Sequence, residues 1–109
     1  MTSVHYTDGY LFFSGDTLLS FSIDTETLYD FSNFVEESKG QTVTDQTREM
    51  HARNFSFMID KIGRNEWQIF IDHVRVRLIF TIGKEKLDVF SRLVQHKYEG
   101  NQSVLQLEI

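Results

Sequence analysis

Apolar residues stand at every second position from Val74 to Ile82, with charged or polar residues at most positions between them. A period of two residues predicts a β-strand with one buried face. The same alternation predicts shorter strands at Phe55–Ile59 and Trp67–Ile71. Turns are predicted at Gly63–Asn65 and at Asp72–His73, so the three strands are expected to form an antiparallel meander.

A second group of strands is predicted near the start of the chain. Tyr10–Phe13 is a short apolar run, and Leu18–Ile23 again alternates. Ser14–Asp16 contains a glycine and suits the turn of a hairpin between them. A last strand is predicted at Ser103–Ile109. The segment Gln41–Arg53 shows no clear period and is interpreted as a connection.

Each group of strands is followed by a segment with helical spacing. Asp24 or Thr25 is suited to cap the first helix, and Gly40 and Gly100 follow the last apolar residues of the two segments. Apolar residues recur three or four positions apart, which predicts amphipathic helices. They are Leu28, Phe31, Phe34 and Val35 in the first helix, and Leu87, Phe90, Leu93 and Val94 in the second.

The two halves of the chain resemble each other. A shift of 59 residues places Ile23 on Ile82 and Phe31 on Phe90. Two explanations stay open. One is an internal duplication covering 4–48 and 55–109. The other, which is favoured, is that any buried strand followed by an amphipathic helix shows some similarity to another such unit. We therefore predict a single α+β domain over 1–109, with an antiparallel sheet of about five to seven strands, two helices packed on one face and two related ββα(β) halves as one option.

This element order, a strand meander followed by a helix, twice, is similar to that of single-strand nucleic-acid binders of the PUR type. The similarity is one of arrangement, and it assigns no role to any residue.

The composition narrows the class of protein. The 109 residues carry a net charge of −5, 14% are aromatic, and Cys and Pro are absent. Such an aromatic content argues against disorder, and the absence of Cys excludes a disulfide framework and a thiolate metal site. No signal-peptide pattern and no apolar stretch of membrane-spanning length is present. We therefore expect a cytoplasmic protein without a membrane partner.

The charges are unevenly distributed. Residues 1–47 contain one cation and eight anions, whereas residues 48–97 contain ten cations and six anions. This layout favours pairing between the two parts or between copies of the chain. An acidic surface on the first helix would suit a basic protein partner, although an ordinary solvated helix face is the favoured explanation. Its candidate partner-binding residues are Asp24, Glu26, Asp30, Glu36 and Glu37.

The leading hypothesis is a small non-enzymatic protein-interaction module of the inhibitor, immunity or accessory type. It would bind a protein partner, or a second copy of itself as a homodimer, through the acidic first half and an open sheet face. No catalytic, metal-binding or cofactor-binding pattern is present in the sequence: the histidines lack metal-ligand spacing, and no nucleophile elbow or phosphate-binding glycine loop occurs. We therefore expect neither an enzyme nor a cofactor.

The alternative hypothesis is a single-stranded nucleic-acid-binding protein. His73, Arg75 and Arg77 are predicted on the outward side of the long strand, where cations and aromatic rings would contact phosphates and bases. Arg53 and Arg64 would extend this basic row. The net acidity of the chain favours an ordinary solvated strand face instead, since nonspecific affinity for nucleic acids comes mainly from cations.

Overall fold

A computed structural model of the chain describes residues 3–7, 10–14, 20–41, 47–98 and 105–108. The fold is α+β, with antiparallel strands and two helices, as predicted. The strands are β1 (Ser3–Thr7), β2 (Tyr10–Ser14), β3 (Ser20–Ile23), β4 (Thr47–Ala52), β5 (Phe55–Gly63), β6 (Glu66–His73), β7 (Val76–Gly83) and β8 (Leu105–Glu108); the helices are α1 (Thr25–Ser38) and α2 (Lys84–Tyr98).

The described strands form two four-stranded sheets, whereas one sheet was predicted. Sheet A has the order β3-β2-β1-β8, and sheet B has the order β4-β5-β6-β7. The structure also has two strands that the sequence pattern did not predict, β1 and β4. β1 lies between β2 and β8 and completes sheet A, and β4 extends sheet B within the segment that was interpreted as a connection.

The helices connect the two sheets. Helix α1 begins where predicted, since the Asp24 carboxylate accepts a hydrogen bond of 2.9 Å from the backbone N–H of Thr27. It follows sheet A in the chain but contacts β4 and β5 of sheet B. Helix α2 follows sheet B and contacts β1, β2 and β8 of sheet A, as well as β7. The two helices also pack against each other. Each helix therefore contacts the sheet of the other half of the chain.

The core is built around aromatic rings. Phe31 of α1 stacks on Phe57 of β5, with ring centroids 4.3 Å apart. Phe90 of α2 lies 6.2 Å from Phe13 of sheet A and 5.8 Å from Phe80 of sheet B. Both sheets and both helices thus share one core.

The turn between β6 and β7 differs from the predicted one. His73 pairs with Val76, so the two-residue turn is Val74–Arg75, not Asp72–His73. β6 continues through the predicted turn to His73, which pairs with Phe55 of β5 and stacks its ring on the Phe55 ring with centroids 4.2 Å apart. Val74 is 79% exposed, so its predicted inward orientation is wrong, and its φ of 54° is a conformation that β-branched residues rarely adopt.

Candidate functional site

The outward side of sheet B carries a row of apolar side chains across three neighbouring strands. The strand register places Met58 of β5 opposite Phe70 of β6, and Phe70 opposite Ile79 of β7. Met58 and Phe70 are half-buried, and Ile79 is 46% exposed. Alternate residues of the same strands, such as Ile69 and Phe80, are buried in the core. We call the outward side of sheet B the open face and these three residues the apolar row.

Polar side chains border the apolar row on both sides. The register places four residues in line on each side: His51, Ser56, Asp72 and Arg77 in one row, and Thr47, Asp60, Gln68 and Thr81 in the other. Glu49 of β4 lies at the end of the apolar row, opposite Met58. The open face therefore has an apolar centre and a polar margin.

The first polar row contains two pairs of side chains in hydrogen-bond contact. Arg77 donates hydrogen bonds of 2.6 and 3.0 Å to the two carboxylate oxygens of Asp72. These bonds hold the pKa of the Asp72 carboxyl below its ordinary value of 3.8 and raise the pKa of the Arg77 guanidinium. The Nδ1 atom of His51 lies 2.9 Å from the Ser56 hydroxyl oxygen.

The His51–Ser56 pair does not make a catalytic triad with Asp72. In the register, Asp72 lies on the other side of Ser56 from His51, and its carboxylate is held by Arg77. It cannot orient the imidazole in the way that a triad carboxylate does. The three residues line a shallow depression of about 210 Å³.

The acidic residues predicted on α1 are largely paired within the chain. Glu26 forms an ion pair with Arg53, in the turn between β4 and β5. Glu37 accepts a hydrogen bond of 2.8 Å from Arg48 of β4. The same arginine donates to the Ser38 hydroxyl at 3.0 Å, so β4 is tied to the end of α1.

The other three acidic residues of α1 differ from one another in environment. Glu36 accepts hydrogen bonds from Ser91 and Gln95 of α2, the second at 3.1 Å. Asp24 caps the helix. Asp30 is exposed. The uneven charge of the sequence therefore appears as pairing between the two parts of one chain, which was one of the two predicted outcomes.

The predicted basic row is not a row in the structure. His73 belongs to β6, with its ring on Phe55, and Arg75 lies in the turn. Of the three residues predicted on one strand face, Arg77 alone lies on β7, and it is bound to Asp72. The other two cations lie at separate turns: Arg53 follows β4 and is paired with Glu26, and Arg64 follows β5.

The apolar row was not proposed as a site from the sequence, although a signal was present. Met58, Phe70 and Ile79 are apolar residues at outward positions of three predicted strands that follow one another. Their alignment depends on the strand register, which the alternation of residues does not determine.

Among the residues that the structure describes, no group of three or more His, Asp or Glu side chains could hold a metal ion. Of the two described helices, neither is long and apolar enough to cross a membrane. Comparisons with protein-family models, with curated proteins and with solved structures found no match to this chain.

Proposed function

We propose that this chain is a small non-enzymatic protein-interaction module that binds a protein partner through the open face of sheet B. The apolar row of Met58, Phe70 and Ile79 is the observation that carries the proposal. Specific protein interfaces have an apolar, well-packed centre and a polar rim, and the open face has this layout. Ile79 is the most exposed member of the row and is the natural anchor.

The charges around the apolar row favour a basic protein partner. Among the described residues of the open face, Glu49, Asp60 and Asp72 are acidic and Arg77 is the one strong cation. Beyond β4, Asp30 of α1 shares a depression of about 390 Å³ with Glu49. An acidic border of this kind would attract a cationic protein surface and repel a nucleic-acid backbone. Of the acidic first half, Asp30 is the residue that this layout supports as part of the contact surface, and the nucleic-acid alternative receives less support.

A pair of matched substitutions tests this proposal. Ile79→Asp places a negative charge within the apolar row. Val74→Asp places the same charge at another exposed β-branched apolar residue, which lies in the β6–β7 turn outside the row. Affinity capture from extract of the source cells, with and without nuclease, supplies the partner, and its binding to each variant is then measured. We expect Ile79→Asp to weaken binding by about 30-fold or more, the loss of one hot-spot residue, and Val74→Asp to leave it unchanged.

Equal binding by both variants, or a captured complex that nuclease dissolves, would refute the proposal. Sedimentation of the purified chain separates the two kinds of protein partner. A dimer that Ile79→Asp dissociates identifies a second copy of the chain, and a monomer identifies a different protein. Circular dichroism of both variants checks that the fold is intact.

We also infer that the two halves of the chain are related units. Several of the residue pairs that the 59-residue shift aligns are buried in both halves. These pairs are Ile23 and Ile82, Leu28 and Leu87, Phe31 and Phe90, Ser32 and Ser91, and Val35 and Val94. The reciprocal contacts of the helices with the two sheets support the same inference, because two copies of one unit would pack in this way.

A further inference from the structure

Lys61 occupies a core position of β5. Phe55, Phe57 and Ile59 precede it at alternate positions on the inward side, and Lys61 itself is 5% exposed. Its ammonium nitrogen donates a hydrogen bond of 2.8 Å to the Arg64 carbonyl oxygen and lies 4.1 Å from the centre of the Trp67 ring. Within the described part of the chain, Lys61 forms no ion pair with a carboxylate.

A buried ammonium group is costly unless its donors are satisfied and its charge is balanced. An ammonium group has three N–H donors, and the Arg64 carbonyl accepts one of them. The ring of Trp67 offers a favourable cation–π contact but does not neutralise the charge. Lys61 is thus a buried cation with capacity to bind an anion.

Lys61 and Trp67 line a cleft of about 420 Å³ that gathers three further cations from separate elements. Lys39 follows α1, Arg64 lies in the β5–β6 turn, and Lys84 begins α2. Arg64 and Lys84 are exposed and form no ion pair with a described carboxylate. None of the described residues that line this cleft is acidic.

The cleft is held together by backbone contacts and ion pairs. The backbone N–H of Lys84 donates to the Asn65 carbonyl oxygen at 3.0 Å, so the β5–β6 turn is fixed against the start of α2. The positive end of the helix dipole lies at the same place. Lys39 pairs with Glu36 at 3.5 Å and with Asp88 at 3.2 Å. Three cations, Lys61, Arg64 and Lys84, therefore have no anionic partner among the described residues.

We propose that this cleft binds the phosphate group of a small phosphorylated molecule. A phosphate dianion would supply acceptors to the Lys61 ammonium and would contact the Arg64 guanidinium, whose planar donors match phosphate oxygens. The cleft shares no residue with the apolar row, so this binding is independent of the proposed protein contact.

The surroundings of the cleft favour a single phosphate over a nucleic-acid strand. The cations converge on one cleft and are not spread along a track. The adjoining depression, which shares Asn65 and Lys84 with the cleft, carries the carboxylates of Glu66, Glu85 and Asp88. These carboxylates would repel the next phosphate of a polynucleotide backbone.

Trp67 provides the signal for a direct test, because it is the single tryptophan of the chain and lies beside Lys61. Its fluorescence is followed while inorganic phosphate is added at constant ionic strength, with chloride as the reference. We expect a saturable change with phosphate, and a similar or tighter binding of a sugar phosphate. Isothermal titration calorimetry measures the same dissociation constants without the tryptophan signal.

Arg64→Gln and Lys84→Gln are each expected to raise the dissociation constant for phosphate about five- to tenfold, because each removes one charge-assisted contact made by an exposed side chain. Lys61→Met should abolish the binding. If this variant fails to fold, Arg64→Gln and Lys84→Gln still test the proposal, because both alter exposed residues. Arg92→Gln is the matched control, since Arg92 is an exposed cation of α2 that does not line the cleft. It should bind phosphate like the original chain.

Three results would overturn this proposal. The first is a phosphate response no larger than that of chloride. The second is an equal loss of binding in Arg92→Gln, which would indicate a general effect of net charge. The third is tighter binding of a single-stranded oligonucleotide than of a sugar phosphate, with a loss in Arg64→Gln, which would make the cleft part of a nucleic-acid track.

Discussion

Phe90 is the residue at which both sheets and both helices meet, so Phe90→Ala should be one of the most destabilising single substitutions. Its ring is fully buried and lies 6.2 Å from Phe13 of sheet A, 5.9 Å from Phe31 of α1 and 5.8 Å from Phe80 of sheet B. Removal of the ring therefore leaves a cavity bordered by three other aromatic rings.

The expected magnitude follows from this burial. Truncation of a buried phenylalanine to alanine costs about 3–5 kcal/mol, because transfer free energy is lost and the cavity remains. The edge-on contacts with Phe31 and Phe80 place Phe90 toward the upper end of this range. Phe70→Ala is the control, since its ring is half-buried on the open face and its removal should cost about 1 kcal/mol. A domain with about 5–15 kcal/mol of stability would lose a large part of it in Phe90→Ala.

Urea unfolding provides the assay, with two probes for the two parts of the fold. Trp67 fluorescence reports on sheet B, and circular dichroism at the helical minimum reports on both helices. The two transitions should coincide in the unaltered chain, because the sheets share one core. A cost of Phe90→Ala no greater than that of Phe70→Ala, or separate transitions of the two probes, would refute a single core.

Three further predictions concern the turn, the ion pair of the open face and the helix cap. Val74→Gly should stabilise the fold by about 0.5–1 kcal/mol, because glycine adopts the φ of 54° without strain; a lower thermal midpoint would contradict this. The pKa of Asp72 in the folded chain lies below 3.8, so its bond to Arg77 stabilises the fold above about pH 4 and is lost as the pH falls through that folded value. The stability difference between the original chain and Asp72→Asn, measured by urea unfolding across this range, should therefore shrink on acidification, and a constant difference would contradict it. Asp24→Ala should cost about 1 kcal/mol in the same assay, because the bond to Thr27 caps α1, whereas Asp24→Ser should keep most of the stability.

The alternation of apolar residues predicts most of the fold, because it records which side of each strand faces the core. It locates β5, β6 and the buried end of β7, where Phe80 and Ile82 are inward. It misses β4, since this edge strand alternates between exposed and half-buried residues and contributes only Met50 and Ala52 to the margin of the core. The Val74–Arg75 turn is missed for a different reason. Val74 fits the alternation of apolar residues, so the pattern continues through the turn. The position at which the chain reverses direction is seen only from the pairing of β6 with β7.

The candidate sites could be predicted in part. The phase that places Phe55, Phe57 and Ile59 inward also places Lys61 inward, so a buried lysine was present in the sequence pattern. The apolar row and the cleft depend on strand register and on contacts between distant elements, which a local pattern does not contain. The sequence charges predict pairing between the two parts of the chain or between copies of it, but not that Arg48 and Arg53 are the partners of the acidic helix.

The pairing of β1 with β8 has a consequence for synthesis on the ribosome. Ser3 lies opposite Glu108, so about a hundred residues are translated between the two strands. At about 5–20 residues per second, roughly 5–20 s pass between the translation of β1 and the translation of β8, its second neighbour in the sheet. During this time one edge of β1 is open to strands of other nascent chains on the same messenger RNA. Chaperone binding to the nascent chain should therefore be strongest before β8 emerges, and sheet A should be the last part of the fold to form.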